Sequence, residues 1–417
     1  MNPKAVWVIE TLRSASLPDP AVEVDYPGPG LPGSDAAWAY FAAGESRTPE
    51  LLEDGLLDFG DGVADPIASA FWHLSRWEER DGAPQDRHGR FPLSAALADP
   101  ERPAVDAILA HFQQATGLRP RTGLRLVLSH DIDTPVRWSG RRAAHAAAAR
   151  LKAATLGRDA HRASVEARGL AAAPLERLRR HDPNWSFRRM HEIEQAHGGR
   201  STHFLMVGHN HPLDGIDGAA YDRVRARIVE LVTAQGDEVG LHPSYTTSEH
   251  PERLAEEKAR LEQLTGQPLR SARFHFLRHR AHRSLVQLDR LGFRLDSSHG
   301  YSERPGFRAG FSHPYRPYDV AADRPLDLVE VPLAVMDATL QDDRYLNLGP
   351  EAGLRRAIAV LERAAASGGT VSVLWHNDRF APIYGRGWDI AYDRLLSWAR
   401  GHGAELIACE DVLGDES

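Results

Sequence analysis

Asp131 and Asp133 stand two residues apart at the end of an apolar run, in the stretch LRLVLSHDIDTP of residues 124–135. No turn residue separates the run from the acids. On a regular strand, residues i and i+2 face the same side, so the two carboxylates point together. Charges at the end of a buried strand need partners or a metal. Two carboxylates on one face can divide the work of a hydrolase. One ligates a cation and the other holds an attacking water.

Catalytic groups of parallel α/β folds collect at the carboxyl ends of strands. Other apolar runs in this chain end in the same kind of residue. DEVGLHPSY delivers His242, SARFHFLRHR carries Arg273 and His275, and FRLDSSHGY presents Asp296. VPLAVMD ends in Asp337, and TVSVLWHND ends in His376, Asn377 and Asp378. A capping or hydrogen-bonding role accounts for any one of these. It accounts poorly for six strand ends together. Aspartate oxygens and neutral imidazoles suit Zn²⁺ or another borderline divalent transition metal. Three such ligands with an open position would make a Lewis-acid hydrolase site.

Those residues need a scaffold of alternating strands and helices. From about residue 124 the apolar runs LRLVLSH, STHFLMVG, DEVGLH, SARFHF, FRLDSS, LVEVPLAV, TVSVLWH and AELIAC read as strands. Between them, YDRVRARIVELVTAQG places Val224, Ile228, Leu231 and Val232 at helical spacing and stops at Gly236. PERLAEEKARLEQLTG, HRSLVQLDRLG, EAGLRRAIAVLERAAASGG and WDIAYDRLLSWARGHG also read as helices. The alternation predicts an α/β fold with a mainly parallel sheet, open or closed into a barrel. Residues 1–120 are less regular, richer in Pro and Gly, and predict a smaller N-terminal α/β domain ahead of a catalytic domain at 121–417. Their strongest helical patch is ADPIASAFWHLSRWEERDG. Residues of about 138–181 are Ala- and Arg-rich and predict a basic helical insertion. A solvated helix is the plain reading, and an arm that meets phosphates is the sharper one.

Bulk composition narrows the class. A net charge of −8 over 417 residues argues against a general nucleic-acid binder. With Cys409 the single cysteine, neither an internal disulfide nor a cysteine metal cluster is available. No run reaches the roughly 18 apolar residues of a membrane span, and the first residues lack the apolar core of an export signal. The expectation is a cytoplasmic protein.

At the strand-end residues the chain resembles the polysaccharide deacetylase family, carbohydrate esterase family 4, over roughly residues 124–410. That family is built on a distorted (β/α) barrel and removes N-acetyl groups from amino sugars with one divalent metal. SHDID is similar to its first motif, which implies Asp131 as base and Asp133 as metal ligand. EVGLHPSY is similar to the second and implies His242 as a ligand. RFHF resembles the third, whose arginine braces the base, here Arg273. DSSHGY stands at the fourth region. VLWHND is similar to the last, which implies His376 as general acid, oriented by Asp296 or Asp337. The family's second motif usually carries another histidine four residues on, where this chain has Thr246. His275 is taken as the substitute ligand, ahead of Thr246, His130 and His250. DPIASAFWHLSRWEERDGAPQDRHGRFP resembles a domain that precedes such barrels in a longer bacterial variant.

The resemblance implies a metal-dependent deacetylase acting on an N-acetyl or N-formyl amino sugar, and the cytoplasmic expectation adds that this sugar is nucleotide-linked, lipid-linked or small. The long loop GYSERPGFRAGFSHPYRPYD offers Arg308 and Tyr315 to hold a sugar ring, and Trp375 beside His376 completes that set. Two alternatives stand beside this reading. One is a metal-free carbohydrate-binding pseudoenzyme. The other is an amide hydrolase with a non-sugar substrate.

Overall fold

The computed structural model describes residues 1–137, 182–215, 218–381 and 385–414, with a few isolated positions between them. The basic stretch expected at about 138–181 lies almost wholly outside the described residues, and with it any contact to phosphates.

Among the described residues, nine strands form one sheet. They are β1 (Arg125–Ile132), β2 (Thr202–Leu205), β3 (Glu238–Leu241), β4 (Ser271–Ala272), β5 (Leu295–Asp296), β6 (Val329–Glu330), β7 (Leu333–Met336), β8 (Thr370–Leu374) and β9 (Glu405–Ile407). Every pairing in it is parallel. The spatial order is β6-β5-β4-β3-β2-β1-β8-β7, and β9 also pairs with β1. β9 runs beside Arg125–Val127 and β2 beside Ser129–Ile132, so the two share one edge of β1. The strands at the two ends of this order, β6 and β7, are consecutive in the chain. Only Val331 and Pro332 separate them, and three residue steps span at most about 11 Å. The sheet must therefore curl until its ends nearly meet. Chain continuity, rather than a ladder, closes the barrel.

The sequence reads LVEVPLAV as one strand, and the structure breaks it in two at Pro332. Proline has no N–H to give a ladder. Its carbonyl still accepts from Ser372 N at 2.8 Å. The other seven runs lie where the hydrophobic pattern puts them; six are shortened at one or both ends, while the first runs on two residues past its predicted end, to Ile132.

Helices α1 (Pro3–Ser14), α2 (Asp35–Ala42), α3 (Pro66–Leu74) and α4 (Ala104–Thr116) precede the barrel. Around it run α5 (Phe187–Ala196), α6 (Gly218–Ala234), α7 (Pro251–Thr265), α8 (Ala281–Arg290), α9 (Asp337–Gln341), α10 (Pro350–Ala366) and α11 (Trp388–Gly401). In α6 the buried side chains Tyr221, Arg225, Ile228, Val229 and Val232 make the stripe that the 3.6-residue period demands. No helix among the described residues is long and apolar enough to cross a membrane.

Strand β1 sorts its side chains by alternation. Leu126, Leu128 and Ile132 join the large core beneath the helices, while Val127 joins a small cluster with Leu295, Val331 and Cys409. Ser129 and Asp131 continue the Val127 side. Helix predominates in the N-terminal part, whose strand content is a two-residue hairpin of Glu50–Leu51 and Leu57–Asp58. Its core is continuous with the loop after β5, since Ala309, Phe311, Tyr315 and Tyr318 pack among Trp7, Phe41, Phe71 and Trp77.

An ion network fastens the same junction. Glu79 accepts from Arg308 Nε at 2.9 Å and Nη2 at 2.6 Å, and from Arg76 Nε at 2.8 Å. Burial opposes ionisation of Glu79, but Arg308 and Arg76 outweigh it and hold the carboxyl well below its ordinary 4.5. An acid with a depressed folded pKa stabilises above its unfolded value, and the stabilisation fades as pH falls toward the folded one. Glu79→Gln leaves the buried Arg308 without its carboxylate and Arg76 with Glu78 alone. It should lower the unfolding free energy by about 3–5 kcal/mol near neutral pH. Urea melts should show the gap between wild type and variant narrowing below about pH 4.5. An equal gap on both sides of that pH would mean that the charge is not its source.

Candidate metal centre and catalytic pocket

Asp133, His242 and His275 converge at the carboxyl ends of β1, β3 and β4, each from the position just past its strand or, for His275, three residues past it. His242 Nδ1–H donates to the carbonyl of Arg273 at 2.6 Å. His275 Nε2–H donates to the carbonyl of Leu213 at 2.7 Å. Those bonds fix both tautomers and leave the other ring nitrogen of each with a lone pair. The two lone-pair nitrogens, His242 Nε2 and His275 Nδ1, face each other at 3.0 Å. Asp133 Oδ1 lies 3.2 Å from the first and 3.5 Å from the second. That oxygen is buried and makes no hydrogen bond.

Three electron-rich atoms this close require a positive charge among them, either a proton or a cation. The electrostatics carry the same message. Asp133 is held far below the usual carboxylate range, because His275, His242 and His376 overcome its burial. Burial opposes a charge on His242, yet Asp131 and Asp133 raise its pKa. Burial lowers that of His275. Bonds of about 2.0–2.1 Å in a tetrahedral zinc site place ligand atoms roughly 3.3–3.4 Å apart. The three separations here bracket that value, so the donor set and its spacing fit a Zn²⁺-like ion.

Asp131 sits inside the barrel mouth beside this triangle. Arg273 Nη1 donates to its Oδ1 at 3.3 Å, and His242 Nε2 lies 3.7 Å from its Oδ2. Arg273 has no exposed surface. Its remaining donors go to Ser129 Oγ at 2.7 Å, Ser297 O at 2.7 Å, Ser297 Oγ at 2.8 Å and Ser372 Oγ at 2.8 Å. The guanidinium also lies over the Phe204 ring at 4.6 Å.

His376 closes the other side. Its Nδ1–H donates to Asp337 Oδ1 at 2.6 Å, and Arg379 Nε donates to Asp337 Oδ2 at 2.9 Å. Burial would lower the pKa of His376, but Asp337 and then Asp133 and Asp131 push it up to about 10. The imidazole therefore holds its proton at neutral pH, with Nε2 3.8 Å from Asp133 Oδ2. Of the two acids expected to orient it, the structure places Asp337 there. Asp296 instead accepts from Ser298 N and Oγ; burial raises its pKa against the hydrogen bonds of Glu330 and Ser298, while burial and then Asp296 raise that of Glu330.

The pocket over these groups has a volume of about 200 Å³ and is walled by Phe276, Leu277, Met336 and Tyr345, with Arg90 and Arg344 also lining it. That is below the roughly 300–1,000 Å³ of sites that enclose a whole drug-sized ligand. It suits an acyl group and its attachment, with the remainder outside.

The substrate-binding expectation needs correcting for three residues. Arg308 is buried and consumed by Glu79. Tyr315 is buried and bonds through its hydroxyl to His299 Nδ1 at 3.1 Å. Trp375 is fully buried, packs on Trp388 and Tyr392, and donates to Trp388 O at 3.1 Å. None of the three lines the pocket. Aromatic and Arg content marks a burial-prone segment as well as a sugar platform, and here the junction with the N-terminal part claims it.

The weaker ligand candidates point elsewhere. His130 lies on the opposite face of β1 from Asp131 and bonds Trp375 O and Glu194 Oε1, each at 2.6 Å. Thr246 Oγ1 accepts from Arg253 at 2.6 Å, and His250 is exposed beside Glu252. Residues that the sequence reading missed are Arg379, Arg344, Tyr345, Phe276 and Arg90. Arg379 follows His376 by three positions and was within reach. Arg90 is 185 residues from His275 in the chain, and no local pattern announces such a contact.

Residues 40–116 match DUF7033, a family of unknown function. No curated protein matches the chain. Among solved structures it is similar to a Mycobacterium smegmatis protein provisionally described as a polysaccharide deacetylase, at 16% identity and a TM-score of 0.45, over 70% of this chain and 89% of that one. It is similar to the catalytic domain of a peptidoglycan N-acetylglucosamine deacetylase from Eubacterium rectale, at 12% identity and a TM-score of 0.34, over 70% of this chain and 90% of that one. A CE4 family pseudoenzyme from Bacillus anthracis is similar at 14% identity and a TM-score of 0.35, over 71% of this chain and 67% of that one.

Proposed function

We propose that this chain is a metal-dependent amide hydrolase that removes the N-acetyl or N-formyl group of an amino sugar. The observation that carries the reading is the triangle of Asp133, His242 and His275, flanked by an arginine-braced carboxylate on one side and an imidazole paired with Asp337 on the other. A divalent ion held by those three residues would polarise the acyl carbonyl and make water more acidic.

The chain's own groups supply the proton transfers. Arg273 braces Asp131, donating from Nη1 to its Oδ1 at 3.3 Å. Asp131 accepts a proton from the attacking water as its oxygen bonds to the acyl carbon. The carbon–nitrogen bond then breaks, and His376 Nε2 gives its proton to the departing amine. Asp337 fixes the ring so that Nε2–H faces the pocket, and Arg379 fixes Asp337. Acetate or formate leaves with the free amino sugar. The small pocket, walled by Phe276, Leu277, Met336 and Tyr345, favours a short acyl group on a sugar that projects outward.

A metal-free binding role is the second reading, and Thr246 in place of the family's usual histidine favours it. Elemental analysis of protein purified without added metal separates the two. The hydrolase reading expects near one equivalent of a divalent transition metal, lost in Asp133→Ala and His242→Ala. No metal in the wild type would leave the binding role.

The division of labour has its own test. Asp131→Asn should keep the metal and lose kcat by roughly 10²–10⁴-fold on an N-acetylated amino sugar. Asp133→Asn should weaken metal retention, with activity partly restored in excess Zn²⁺. If Asp131→Asn loses the metal and Asp133→Asn keeps it, the two roles are exchanged. His376→Ala should also be about 10²–10⁴-fold slower on the amide. Its defect should shrink on an activated ester, whose leaving group needs no proton. An equal defect on both substrates would remove His376 as general acid.

A further inference from the structure

We propose that the loop 86–90 of the N-terminal part is a clamp that positions His275 for metal binding, with Arg90 as the positioning residue; this rests on the metal reading of Asp133, His242 and His275. His275 opens an unusual turn. The two residues after it, Phe276 and Leu277, have φ of +60° and +52°. Neither is glycine, and consecutive residues with side chains seldom adopt left-handed backbone. Such a turn persists only where its surroundings over-determine it.

Those surroundings come from a part of the chain remote in sequence. Arg90 Nη1 donates to the carbonyl of Phe276 at 3.0 Å, the middle of the strained turn. Asp86 holds Arg90 in that pose: its Oδ2 accepts from Arg90 Nε at 2.8 Å, and its Oδ1 accepts from Arg90 N at 3.0 Å. From the far side of the turn, Arg278 Nε donates to the carbonyl of His88 at 2.6 Å. The His88 ring lies against the Phe276 ring, with centroids 5.2 Å apart. Arg90 and His88 are both buried. The segment 275–278 is thus held at its middle and at its C-terminal end by the loop 86–90, which falls within the stretch 40–116 that matches a family of unknown function.

The consequence is chemical. His275 Nδ1 must stay within 3.0–3.5 Å of His242 Nε2 and Asp133 Oδ1 for three ligands to share one ion. A turn that relaxes to right-handed backbone swings its first residue, and this ligand leaves the triangle. Groups that orient a ligand without touching the metal characteristically change metal affinity by about 10- to 100-fold.

The test uses the full chain, stripped of metal and titrated with Co²⁺ against a competing chelator. Arg90→Ala should bind about 10- to 100-fold more weakly, with an altered Co²⁺ ligand-field spectrum. Arg90→Lys, which reaches Phe276 O but cannot bridge to Asp86 in the same way, should lie between the two. Amide hydrogen exchange should quicken over residues 275–278 in Arg90→Ala and stay unchanged in β8. Wild-type Co²⁺ affinity and spectrum in a folded Arg90→Ala would overturn the clamp while leaving the metal reading in place. If Arg90→Ala does not fold, Arg90→Lys decides, and wild-type affinity there has the same meaning. A wild type that binds no Co²⁺ overturns the metal reading and the clamp together.

Discussion

A guanidinium without solvent, that of Arg273, sits at the centre of this barrel. Desolvating such a charge is costly unless nearly every donor is met and a counter-charge is near. The structure answers with three serines from three strands or strand ends, Ser129, Ser297 and Ser372, and with the carboxylate of Asp131. These partners lie on or just past β1, β5 and β8. Arg273 itself follows β4. One side chain thus ties four parts of a sheet whose ends are joined by chain continuity alone. The same bond that repays the burial of Arg273 sets the position of Asp131. Stability of the barrel and placement of the Asp131 carboxylate are one constraint here.

The candidate metal triangle depends on a second set of bonds, made by backbone carbonyls. His242 and His275 each spend one nitrogen on a carbonyl, of Arg273 and of Leu213. The carbonyl that orients His242 belongs to the residue that braces Asp131. Moving Arg273 would therefore disturb Asp131 and a ligand candidate together. By contrast, Asp337 and Arg379 orient His376 with no bond to that network. The acid side and the ligand side of the pocket are separately supported and meet at Asp133.

Much of this was legible in the sequence, for definite reasons. A parallel sheet buried on both faces writes itself as continuous apolar runs. The residue after each run falls at one rim whatever the loops do. That is why Asp131, Asp133, His242, Arg273, His275 and His376 come together in the structure as their strand-end positions implied. The partner of His376 was narrowed to two candidates, Asp296 and Asp337, because strand-end position alone does not say which strand lies beside β8; in the structure β7 pairs with β8 and brings Asp337 to His376. The aromatic loop after β5 was misread for a physical reason. Tyr315 and Arg308 have the composition of a sugar platform and of a buried junction alike, and only the position of Glu79 decides between them.

What the sequence could not convey is coupling across long separations, and the N-terminal part lives on such couplings. Glu79 meets Arg308 across 229 positions, and Arg90 meets Phe276 across 186. Local periodicity carries no trace of either. The second contact bears on a departure visible in the sequence itself, the threonine at position 246. A ligand at that position would have sat on the turn after β3, where Thr247 and Ser244 already close a local hydrogen bond. His275 stands instead on a left-handed turn after β4, a conformation that costs about 1–2 kcal/mol for each residue with a side chain. A site that draws its third donor from such a turn needs support that a turn without strain would not. The support present comes from outside the barrel. Thr246, the strained backbone at Phe276 and Leu277, and the arginine at position 90 are then parts of a single arrangement, in which the choice of donor and the presence of the N-terminal part constrain each other.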